Sequence, residues 1–140
     1  MPYEILEHTA DAGVRGIGAT LEEAFREAAR ATFSLMVDLP RVKPRQTVKI
    51  EVEADSLEGL LVAFLGELLA RRDIEGLVFS DFRVRIEGGE GGWRLAGEAY
   101  GEPLDPDRHR PRVEVKAATY FGVEVRREGD RWIAQCVLDL

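Results

Sequence analysis

Leu57, Leu60, Leu61, Phe64, Leu65, Leu68 and Leu69 recur at helical spacing and form one continuous apolar face. A helix with such a face must be covered along its whole length, so the chain has to supply a sheet or a second helix wide enough to do it. The segment carries its own boundaries. Asp55-Ser56-Leu57-Glu58 is a capping pattern at its start, and Arg71-Arg72-Asp73 places positive charge where the helix dipole is negative. A second helix follows from Thr20-Leu21-Glu22-Glu23, a capping box. Its stripe is Leu21, Ala24, Phe25, Ala28, Ala29, Thr32, Leu35 and Met36, and Asp38-Leu39-Pro40 ends it.

The partners for these helices are strands. In residues 46–53, Val48, Ile50 and Val52 alternate with Lys49, Glu51 and Glu53, the period of a half-buried strand. Residues 3–7 form a short first strand and residues 14–19 a second extended piece, where Gly13, Gly16 and Gly18 mark close backbone approach or bending. Residues 78–87 and 93–100 read as a hairpin across Gly88-Gly89-Glu90-Gly91-Gly92; with no helix and no Lys-Ser/Thr after it, this is a turn and not a phosphate cradle. Residues 101–112 are expected to be an irregular loop, and residues 113–127 and 131–138 a final hairpin around Glu128-Gly129-Asp130. The expected fold class is α+β: one domain over residues 1–140, with a largely antiparallel mixed sheet and two main helices packed on one face.

With 45% hydrophobic residues, 140 residues are enough for a single core. No apolar run has the length of a membrane span, and Met1-Pro2-Tyr3 leads straight into structure, so the cytoplasm is the expected location. Lys and Arg total 19 against 26 Asp and Glu, a formal charge of −7. Direct high-affinity binding to nucleic acid is therefore not expected, because that contact is driven by phosphate neutralisation. An acidic surface suits a basic protein partner or a cation. Arg108-His109-Arg110-Pro111-Arg112 is the densest basic run and reads as a solvated loop.

The chemistry-bearing residues are few. Asp11 follows the apolar start of the chain and precedes Gly13; Asp139 and the α-carboxylate of Leu140 stand at the other end, after an apolar terminal strand. If folding brings the two ends together, hard oxygen donors converge, a set suited to Ca²⁺, Mg²⁺ or Mn²⁺. The bland alternatives are turn capping by Asp11 and a solvated terminal Asp139. Lys116 falls on the more polar face of its strand beside Glu114, where a cross-strand ion pair is the plain explanation. Cys136 reads as a small core residue, and His8 and His109 have no zinc spacing. By residues alone, the choice lies between a cation-binding interaction protein and a small metal-dependent hydrolase.

Four stretches in order, His8-Thr9-Ala10-Asp11, Thr20-Leu21-Glu22-Glu23-Ala24-Phe25, Lys116-Ala117-Ala118-Thr119-Tyr120 and Val137-Leu138-Asp139-Leu140, make the chain resemble the archease family over essentially its whole length. The resemblance implies an accessory protein of an RtcB-type tRNA-splicing RNA ligase, not itself an enzyme. Such a protein promotes guanylylation and multiple turnover of the ligase and broadens its nucleotide use. It implies a divalent-cation site, with Ca²⁺ foremost, at Asp11, Asp139 and the carboxylate of Leu140, a functional lysine at Lys116, and His8 and Asp38 as neighbours. A general interaction or chaperone-like module with a structural cation is the alternative.

Overall fold

The computed structural model describes residues 2–7 and 11–140. The order of elements is β1 (Tyr3–Glu7), β2 (Asp11–Gly18), α1 (Leu21–Met36), a 3-10 turn (Leu39–Arg41), β3 (Gln46–Ala54), α2 (Leu57–Glu75), β4 (Leu77–Gly89), β5 (Gly92–Pro103), a single-turn helix α3 (Pro106–His109), β6 (Ala117–Glu128) and β7 (Arg131–Asp139).

Both long helices start where their caps predict. The Thr20 hydroxyl accepts the Glu23 N–H at 3.1 Å, and the Glu23 carboxylate reaches back to the Ala19 N–H at 2.9 Å. Ser56 accepts the Gly59 N–H at 3.0 Å, and α2 ends on Gly76 in the left-handed region at φ 66°.

The class is α+β with two main helices, as expected, but the strands divide into two antiparallel sheets. One has the order β1-β2-β7-β6 and the other β3-β5-β4. The helices lie between them: α1 packs on β2 and β7 on one side and β4 on the other, while α2 packs on β6 and on β3 and β5. Each sheet thus has helices on one face, and every pairing is antiparallel. Phe25, Phe33, Phe64, Phe79 and Phe82 meet in the middle layer, all nearly or fully buried. Among the described residues no helix is long and apolar enough to cross a membrane.

The glycines of β2 do what their spacing suggested. A Cβ at Gly16 would lie 2.0 Å from the Ala24 carbonyl oxygen and 2.3 Å from the Ala28 nitrogen, so α1 rests directly on the strand's backbone. Backbone cannot swing aside as a side chain can. Gly16→Val is expected to lower stability by at least the roughly 1–3 kcal/mol of ordinary overpacking, read as a fall in the urea midpoint; an unchanged midpoint would mean that α1 does not sit on β2 in this way.

Candidate functional site

Three strand ends meet at one edge of the four-stranded sheet. Asp11 is the first residue of β2 and pairs with Asp139, the last residue of β7; Asp139 in turn pairs with Ala117, the first residue of β6. Residues directly opposed in an antiparallel pair point to the same face with Cβ atoms about 4.5–5.5 Å apart, so the two aspartates are cross-strand neighbours. Asp11 is half-buried and Asp139 exposed. Asp11 is a strand residue. Leu140, partly buried against the core, places its carboxylate one residue beyond Asp139. Like charges directly opposed on a sheet repel. The donors that could hold a hard divalent cation at this edge, the two aspartates and the terminal carboxylate, are all oxygen. Among the described residues no cluster of three or more His, Cys, Asp or Glu side chains is gathered for a metal, so side chains alone do not complete a coordination shell here. His8 lies outside the described residues.

Lys116 arrives at the same edge. Its N–H donates to the Asp139 carbonyl at 2.8 Å, and continuation of the β6–β7 register sets it level with Leu140. The other side of the same peptide unit is held as well: the Arg72 guanidinium donates to the Val115 carbonyl at 3.0 Å. The Val115–Lys116 peptide is thus clamped between the end of α2 and the end of β7. Arg72 reads in the sequence only as a favourable charge at a helix C-terminus; nothing in its spacing announces this second task. Arg72→Met keeps a long apolar stem and removes the donor. The expected result is faster exchange of the Lys116 amide by about tenfold or more, as befits loss of a hydrogen bond to a charged donor worth roughly 1.5–3 kcal/mol. Unchanged protection would show that the clamp does not hold the lysine.

The connector before Lys116 is pinned by a buried network, which corrects the reading of His109 as part of a solvated loop, while Arg110 and Arg112 of the same run are exposed as expected. His109 and Glu102 are fully buried or nearly so. The Asp105 N–H donates to His109 Nδ1 at 2.9 Å, so the ring in this arrangement carries its proton on Nε2, which faces Glu102 Oε2 at 2.9 Å. Glu102 also accepts the Lys43 N–H at 2.8 Å and an Arg108 N–H at 2.6 Å, with Arg45 3.5 Å away. Burial pushes the Glu102 carboxyl up, but the Lys43 amide, the His109 ring and the Arg108 guanidinium outweigh it and bring its pKa down to about 2. From this anchor the chain is laced onto α1: His109 C=O accepts from Asp38 N–H at 2.8 Å, Arg112 N–H donates to Met36 C=O at 2.8 Å, and Val113 N–H donates to Leu35 C=O at 3.1 Å. Residues 113–116, expected as strand, are not one: Val113 bonds to the end of α1, and β6 begins only at Ala117. Asp38 sits at the far end of this lacing, paired with Arg41 at 3.1 Å. Cys136 is buried, which raises its thiol to about 11, well away from the thiolate a nucleophile needs.

Comparison with known proteins bears on this edge. Residues 3–140 match the archease protein family (MTH1598/TM1083). The chain is 53% identical to Protein archease of Thermococcus gammatolerans over 139 residues, 99% of this chain and 98% of the relative. It is 50% identical, with the same coverage, to Protein archease of Pyrococcus furiosus. Among solved structures, that of Methanobacterium thermoautotrophicum protein 1598 superposes with a TM-score of 0.87 at 36% identity, covering 99% of both chains. An archease from Thermotoga maritima, described as a possible chaperone, shares the fold with a TM-score of 0.65 at 20% identity, covering 96% of this chain and 94% of its own. With the family matched from β1 to the final residue, the chain belongs to the archease family.

Proposed function

We propose that the chain activates an RtcB-type tRNA-splicing RNA ligase, promoting its guanylylation and multiple turnover and widening the nucleotides it accepts, without joining RNA itself. The observation that carries this reading is the meeting of Asp11, Asp139 and the clamped Lys116 at one sheet edge. Asp11, Asp139 and the Leu140 carboxylate would hold a divalent cation, foremost Ca²⁺, with Mg²⁺ and Mn²⁺ as the other hard choices. Such a cation supplies positive charge that offsets nucleotide phosphates. The chain's own residues do the rest. The paired aspartates present acidic groups to a partner that must be basic to hold RNA, and Lys116, on a clamped backbone, offers its ammonium to a ligase carboxylate or a phosphate. The formal charge of −7 supports a basic protein partner over direct nucleic-acid binding.

The second reading, favoured by the description of the Thermotoga relative as a possible chaperone, is a general interaction module whose cation is structural. Multiple-turnover ligation by an RtcB-type ligase, with and without the purified chain, separates the two. Activation predicts more product per ligase when the chain is added, lost with Lys116→Ala although the fold is retained. A chaperone-like module predicts protection of the ligase against inactivation and indifference to Lys116.

A further inference from the structure

The pairing of β6 with β7 is interrupted in the middle. It runs from Ala117↔Asp139 to Thr119↔Val137 and resumes at Glu124↔Gln135, so Tyr120, Phe121, Gly122 and Val123 stand opposite the single residue Cys136. Gly122 takes φ 71°, a left-handed conformation that lets the extra residues turn out from the sheet. Tyr120 and Phe121 are 67% and 77% exposed. Full burial of a Phe side chain stabilises by about 1.5–3 kcal/mol, and this fold forgoes most of that at Phe121.

The knuckle is built and not slack. At its base the Thr119 hydroxyl donates to the Val137 carbonyl at 3.0 Å, the Cys136 thiol donates to the Thr119 carbonyl at 3.4 Å, and the Gln135 amide donates to the Gly122 carbonyl at 3.4 Å. Aromatic side chains held in advance are what protein interfaces use as anchors, because little ordering remains to be done on binding. Its surroundings are acidic on both sides. A Cβ at Gly59 would lie 3.6 Å from Tyr120 Oη, which puts the tyrosine over the first turn of α2, where the sequence Asp55-Ser56-Leu57-Glu58 carries two carboxylates. Along β6 in the other direction are Lys116 and the Asp11–Asp139 pair, the latter beginning only two residues before Thr119 in the register.

We infer that Tyr120 and Phe121 are the apolar anchor by which the chain docks into an apolar pocket with a basic rim on its protein partner. This rests on the reading of that partner as the RtcB-type ligase. Acidic flanks fit a basic rim, and continuity with the Asp11–Asp139–Lys116 edge means that seating the anchor brings that edge against the partner. Stacking on RNA bases is the competing occupant, and a second copy of the chain another.

The test uses the full chain with Phe121→Ser and Phe121→Lys, and Ile74→Ser as control; Ile74 is 76% exposed and lies about 200° around α2 from Arg72, on the side of the helix turned from the clamped peptide. The dissociation constant for the ligase is measured by titration calorimetry, and the chain concentration for half-maximal stimulation by guanylylation. Phe121→Ser is expected to raise both by about tenfold or more, the size of a truncated interface anchor. Phe121→Lys should raise them further, because it sets a cation against the basic rim. Ile74→Ser should match the parent, and all melting temperatures should stay close to it. If the parent chain stimulates the ligase and Phe121→Ser binds as tightly, the anchor is refuted while the activator role stands. Equal losses in Ile74→Ser, or a loss in RNA binding or self-association in place of ligase binding, would also overturn it. A parent chain that neither binds nor stimulates the ligase overturns both.

Discussion

Glu102→Ala is expected to lower the stability of the chain by about 1–3 kcal/mol, the cost of leaving a buried donor without its acceptor, and its melting temperature by roughly 3–10 °C for a domain of this size. The reason is what remains. Buried His109 would keep its place with no carboxylate to meet its Nε2–H, and the Lys43 N–H would lose its acceptor, while Arg108, 37% exposed, can turn to water. The same group sets a pH dependence of known sign. Its pKa is lowered from 4.5 to about 2 in the fold, so its contribution is fully present above 4.5 and drains away as the pH falls through 2. Urea unfolding between those limits should show the parent losing stability on acidification more steeply than Glu102→Ala. Parallel profiles would mean that the carboxylate is not held ionised by its neighbours. Because residues 109–116 hang from this network on their way to Lys116, the variant should also loosen the candidate site.

Asp139→Asn should have opposite effects with and without divalent cation. In chelator the parent carries two directly opposed aspartates, and replacing one removes a repulsion of about 0.2–1 kcal/mol. The variant is then as stable as the parent or slightly more so. With Ca²⁺ at a hundred times its dissociation constant, a chain that binds only when folded gains about 2.7 kcal/mol, and that gain belongs to the parent alone. The order of melting temperatures therefore inverts on adding Ca²⁺. Equal shifts in both proteins would remove Asp139 from any cation site. Asp11→Asn serves as the matching variant, since the two residues pair in register.

How much of this was legible in the chain follows from what each pattern encodes. The helices were, because capping and apolar spacing are local: Thr20 and Ser56 begin them as written. The close approach at Gly16 was also legible, since a glycine inside an apolar strand has few other uses. The division into two sheets was not. Alternation such as Val48, Ile50 and Val52 says which face of a strand is covered, not which strand lies beside it. The meeting of Asp11 with Asp139 was expected from the family resemblance, and the pairing of β2 with β7 supplies its physical reason. The burial of His109 is not legible because its partner, Glu102, belongs to β5 while His109 ends α3, and only folding brings them to 2.9 Å. Arg72 was hidden for the same reason. The knuckle was hidden for another: Tyr120 and Phe121 continue an apolar run, and a bulge changes the register without changing composition.

The action of the Asp11–Asp139–Lys116 edge on the ligase is the part of the proposed function with the most at stake. It is tested most directly by ligase guanylylation with equal amounts of parent chain or of Asp139→Ala whose fold has been verified by thermal unfolding. The account predicts that stimulation falls by at least the roughly 10–100-fold that even outer-shell partners of a metal site cost. Undiminished stimulation by the folded variant would contradict it.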